Sequence, residues 1–191
     1  MNHGHTPVSY NRAFAIGVAL NAAFVIVEAA YGVLAGSLAL LSDAGHNLSD
    51  VVSLLLAWGA AALATRAATE RRTYGLRKAT VMASLASAIL LLVALGVIAR
   101  EAVGRLLAPV PVAGATVIVV AGVGVIINTA TALLFMRGRK HDLNIRGAFL
   151  HMAADAAVSL GVVFAGIIIM FRGWVWVDPV LSLVIVGILL V

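Results

Sequence analysis

Long apolar stretches recur along the chain, each separated from the next by a short polar, basic or glycine-proline connection. A helix that crosses a bilayer needs about 20 consecutive, mostly apolar residues. The pattern predicts such helices near residues 14–35, 38–64, 77–99, 113–135, 147–171 and 176–191. Ala35-Gly36-Ser37 reads as a tight turn, and residues 66–78 and 137–146 read as basic loops. Pro109 and Pro111 break the chain between the third and fourth spans, because proline lacks an amide donor and restricts the residue before it. Asp178-Pro179 reads as the start of the sixth span, with Asp178 as N-cap and Pro179 at the first helical position. The expected fold class is therefore all-α and integral to the membrane, with six transmembrane helices.

Composition sharpens this picture. Hydrophobic residues make up 63% of the 191 residues and charged residues only 11%. A soluble domain carries about 25% charged residues, so lipid is the expected solvent and the bilayer a partner. The net charge of +5 comes without aromatic interleaving in the basic stretches, which argues against nucleic acid. Absence of cysteine excludes disulfides, thiolate metal sites and thiol catalysis. Residues 1–12 are polar, and the apolar run after them is too long for the core of a signal peptide. They are expected to be a tail, with the transport domain over 13–191.

Basic residues favour the cytoplasmic side of membrane helices. With six spans, ten of the thirteen Lys and Arg fall on the side of the N-terminus, and only Arg100, Arg105 and Arg172 fall on the other. Both termini are expected in the cytoplasm. The sixth span is short and stops on apolar residues. This leads us to expect a chain cut from a longer protein or lacking its tail, with a naturally short protein as the alternative. Short loops and abundant Ala and Gly point to a bacterial inner membrane.

Ionisable residues inside the spans carry the chemistry. Each charge at mid-span costs about 2.5–3.5 kcal/mol or more, so such residues face a bundle interior or a wet path. The second span contains His46 and Asp50, the fifth His151 and Asp155, both as H-x-x-x-D. Positions i and i+4 share one helix face, so each helix offers an imidazole beside a carboxylate. Two such helices, antiparallel and facing, supply two nitrogens and two oxygens, which suits tetrahedral Zn²⁺. The two aspartates also neutralise the ion. The competing reading is two separate intrahelical pairs that glue helices together. Asp43, Glu28, Asn21 and Asn128 are candidate surrounding or pathway residues, and packing or, for Asp43, a helix cap accounts for them equally well. His3, His5 and His141 read as solvated. Gly32 and Gly36, with the Ala- and Ser-rich third span, suit close helix packing.

Four stretches resemble the cation diffusion facilitator family, in its bacterial zinc and cadmium efflux branch: residues 36–50 (GSLALLSDAGHNLSD), 71–77 (RRTYGLR), 141–155 (HDLNIRGAFLHMAAD) and 176–182 (WVDPVLS). The resemblance implies a six-helix transmembrane domain, a homodimer, and export of metal from the cytoplasm in exchange for H⁺. It implies that His46, Asp50, His151 and Asp155 bind the transported Zn²⁺, with Cd²⁺ tolerated and no enzymatic reaction. Members usually carry a cytoplasmic metal-binding domain after the sixth span, and this sequence ends before one. Rival classes are a proton-coupled exporter of organic cations, a membrane scaffold, and a zinc hydrolase. The first has no need of paired histidines, the second predicts no response to metal, and four protein ligands would close the third's open position.

Overall fold

The computed structural model describes residues 10–64, 75–136 and 143–190. It contains six helices: α1 (Tyr10–Ala35), α2 (Leu38–Ala64), α3 (Gly75–Leu107), α4 (Gly114–Met136), α5 (Leu143–Arg172) and α6 (Val177–Leu189). Among the described residues, Ser84–Leu107, Gly114–Leu134 and Arg146–Arg172 are long and apolar enough to cross a membrane, and Ala19–Ala35 and Val177–Leu189 are shorter apolar helices. Of the expected basic loops, residues 66–74 and 137–142 lie outside the described residues, as do His3, His5 and His141, while residues 75–78 and 143–146 belong to α3 and α5.

The connections follow from backbone chemistry. Gly36 sits at φ +67°, a left-handed value that glycine adopts without a Cβ penalty. It lets the Ser37 amide reach back to the Gly32 carbonyl at 2.9 Å and closes α1. Gly173 at φ +68° ends α5 in the same way.

Two expectations are corrected. α3 continues eight residues beyond the expected end at 99, because its terminal charges have partners. Arg105 is held by Glu101 one turn back at 3.0 Å and donates to the Gly36 carbonyl. Asp178 does not cap its own helix. Trp176 is the N-cap of α6, with no side-chain cap bond. The Asp178 carboxylate reaches across to α2, where it accepts from the Ser37 hydroxyl and from the amides of Leu38 (2.7 Å) and Ala39 (3.3 Å). It satisfies the orphan donors of another helix's first turn. The Ser42 and Ser182 hydroxyls, 2.7 Å apart, join α2 to α6 again further along.

α4 and α5 pack backbone to backbone. A Cβ on Gly114 would lie 2.9 Å from the Gly166 carbonyl oxygen, and one on Gly166 would lie 2.9 Å from Ile118. The core centres on Phe24, Leu40, Val117, Ala121, Val162 and Ile185. α3 turns most of its described apolar side chains outward, including Leu85, Leu90 and Val93, as a helix bathed in lipid does.

Candidate metal centre

α2 and α5 run antiparallel and meet over a short stretch. There His46 faces Asp155 and Asp50 faces His151. His46 Nε2 lies 3.1 Å from Asp155 Oδ1, and His151 Nε2 lies 3.2 Å from Asp50 Oδ2. The spacings within each helix are longer, 3.6 Å for His46–Asp50 and 3.7 Å for His151–Asp155. The imidazole rings stand 5.9 Å apart, edge to face. The two motifs thus close into one ring of alternating nitrogen and oxygen donors, with the shortest links between helices. Donor atoms of His46, Asp50 and Asp155 all fall within 4.8 Å of one another.

Ligand bonds of about 2.0–2.2 Å at tetrahedral angles separate neighbouring donors by about 3.3–3.6 Å. The four separations along the ring bracket that range, while His151 falls outside the set of donors that all lie within 4.8 Å of one another. Two ionised aspartates with two neutral imidazoles balance a divalent cation, so the arrangement can hold such an ion at low electrostatic cost in a dry interior.

Exposure is graded through the centre. The side chains of His151 and Asp50 are 40% and 25% exposed, those of His46 and Asp155 18% and 1%. By exposure, the His151–Asp50 edge is the open side of the centre and the His46–Asp155 edge the closed side.

The closure consists of the other polar residues singled out in the sequence. Glu28 and Asp43 are fully buried, and Asn47, one turn after Asp43 on α2, links the two through Glu28. Asn47 Nδ2 donates to Glu28 Oε2 at 3.3 Å, and the Ser159 hydroxyl donates to Asp43 Oδ2 at 2.9 Å. Asp43 is therefore an interior residue and no helix cap. Asn21 Nδ2 donates to the Met152 thioether at 4.0 Å, beside His151. Asn128 is fully buried, and neither of its amide atoms meets a hydrogen-bonding partner among the described residues. Sequence reasoning passed over Ser159 and Asn47. Their signal was present: Ser159 extends the spacing of His151 and Asp155 by four more residues, and Asn47 stands four after Asp43.

Apolar helices that bring His and Asp side chains together in their midst are the build of a polytopic membrane protein. The chain belongs to the cation efflux family, whose transmembrane domain matches residues 14–191. It is 37% identical over 188 residues to the cadmium, cobalt and zinc/H(+)-K(+) antiporter of Bacillus subtilis (strain 168), covering 97% of this chain and 60% of that protein. It is 38% identical over 184 residues to the metal cation efflux system protein CzcD of Cupriavidus metallidurans, covering 96% and 58%. It is 39% identical over 173 residues to the zinc transporter ZitB of Escherichia coli (strain K12), covering 90% and 55%. These relatives place it in the bacterial zinc and cadmium branch of a transporter family, as a multi-pass protein of the inner membrane. The chain spans about three fifths of the length of the curated relatives it matches.

Proposed function

We propose that this chain exports a divalent cation from the cytoplasm in exchange for protons, with Zn²⁺ as the preferred substrate and Cd²⁺ tolerated. His46, Asp50, His151 and Asp155 are the transport ligands. The observation that carries this reading is the closed ring of alternating donors with edges of 3.1–3.7 Å, which suits a small ion.

The cation enters through the His151 and Asp50 side and binds between neutral imidazoles and ionised carboxylates. Closing that side and opening the other exposes the site to protons, in the alternating-access manner of transporters with a central site. Ligands must be deprotonated to hold the metal, so protonation of the histidines favours release, and return of the protons drives the next cycle. The working protein is proposed to be a homodimer.

The test is metal-driven proton movement in proteoliposomes that contain the full-length protein, comparing Zn²⁺, Cd²⁺, Co²⁺ and Mn²⁺, with and without K⁺. A Zn²⁺ response that disappears in Asp50→Ala supports the assignment. Retention of zinc-dependent proton flux in that variant, once correctly inserted, overturns it.

A further inference from the structure

We propose that Glu28 and Asp43 form a proton-holding carboxyl pair, which loses its proton when the divalent cation occupies the neighbouring site and regains one after the cation has left. This rests on the transport reading of the His/Asp site and adds to it a separate place for the coupling ion.

The pair lies between α1, α2 and α5 on the closed side of the metal centre. Both side chains are fully buried, and Asn47, one turn after Asp43 on α2, bonds Glu28 and so brings the two carboxyls near one another. One oxygen of each is already satisfied by a neutral donor, Glu28 Oε2 by Asn47 and Asp43 Oδ2 by Ser159. The remaining oxygens, Glu28 Oε1 and Asp43 Oδ1, have no hydrogen-bonding partner among the described residues. Two ionised carboxylates placed so would each lack a donor, repel one another and lie out of water. A single shared proton resolves all three problems. It turns one carboxyl into a donor and gives the other an interaction to accept.

No described cation offsets the pair instead. His46 on α2 and Asp155 on α5 lie about one helical turn inward, on the metal side. α4 approaches Ser159 with Gly124 and has no titratable residue. Arg105 of α3 is bonded to Gly36 and Glu101, and Asp178 of α6 is bonded to Ser37, Leu38 and Ala39 at the start of α2.

A divalent charge arriving one turn away stabilises the ionised form of the pair. The carboxyl O–H then parts into carboxylate and H⁺. The open, His151 side is the exit, so the proton leaves on the side from which the metal came. After the metal departs on the other side, the carboxylate takes up a proton there. Metal and proton cross in opposite directions, the pair returning one proton for each cation exported.

The test counts protons displaced per Zn²⁺ bound by the purified full-length protein, using titration calorimetry in buffers of different ionisation enthalpy. Glu28→Gln and Asp43→Asn keep the shape of the pair and remove its proton. Each is expected to bind Zn²⁺ no more than about tenfold more weakly than the wild type and to release about one proton fewer. An unchanged proton count overturns the proposal. Ser159→Ala retains both carboxyls and removes the donor that favours ionised Asp43. It is expected to move the pH at which the extra proton ceases to be released upward, and an unmoved profile overturns the proposal even where the other variants fail to fold. Failure of the wild type to bind Zn²⁺ would refute the transport site itself, whereas normal binding with an unaltered count in the variants refutes only the pair.

Discussion

Asp155 is the most enclosed of the four donors, and its two oxygens face different histidines, His46 across the interface and His151 along its own helix. Loss of an outer-shell partner alone costs a metal site about 10–100-fold in affinity. Asp155→Ala is therefore expected to weaken Zn²⁺ binding by more than about 100-fold, as read by competition with a zinc-sensitive dye, and a loss below tenfold would argue against its role as a ligand. Acid should act on the same site. Protons and metal compete for the imidazole nitrogens, so affinity is retained at neutral pH and lost as pH falls. A drop of at least about tenfold between about pH 7.5 and 5.5 is expected in the same assay. That each histidine stands beside the aspartate four residues on was legible in the sequence, because i, i+4 spacing fixes a shared face without any tertiary knowledge. The pairing across helices was not. Whether His46 meets Asp50 or Asp155 more closely depends on the register of α2 against α5, and no local pattern encodes that register. Asn47 and Ser159 were missed for the same reason, since an amide or hydroxyl on an apolar helix acquires meaning only from the carboxylate opposite it.

Helix positions were read well where apolar runs stop at glycine or proline, as at Gly36, Pro109 and Gly173. They were read poorly where a run stops at charge. α3 passes through Arg100, Glu101 and Arg105 because Arg105 finds a carboxylate on its own helix and a carbonyl on the α1–α2 turn. Asp178 misled for a related reason. Its local sequence is that of a cap, and it does cap, but it caps a helix that begins 140 residues earlier. Asp178→Ala should thus loosen α2 more than α6. Faster hydrogen exchange at the Leu38 and Ala39 amides is expected, with a stability loss of about 0.5–2 kcal/mol. Exchange faster at α6 and unchanged at α2 would contradict the contact. The α4–α5 pair tests close packing. At Gly114 a Cβ would meet the Gly166 carbonyl at 2.9 Å and the Met170 amide nitrogen at 3.0 Å, and backbone cannot step aside as a side chain can. Gly114→Ala should cost about 1–3 kcal/mol in thermal unfolding in detergent. At Gly122, where a Cβ would have open space around it, the same change should leave the melting temperature nearly unaltered.

For the whole molecule, the six-helix count was legible from hydropathy, and the stacked indoles of Trp174 and Trp176 at the α5–α6 turn fit the aromatic belt at a membrane surface. The excess of basic residues predicts that this turn faces away from the cytoplasm. Alkaline phosphatase fused after Pro109 or Gly173 should be active in bacteria, and fused after Gly75 it should be silent. The opposite result would reverse the orientation. The direction in which the metal centre opens was not legible, because it depends on how far apart the two ends of α2 and α5 stand. A beam clamped at one end swings most at the other. α2 is clamped where it begins, by Asp178 through Ser37, Leu38 and Ala39 and by Ser42 against Ser182. Any swing of α2 against α5 therefore displaces Asp50 more than His46. The Asp50–His151 edge of the ring is thus the one that such a swing opens first.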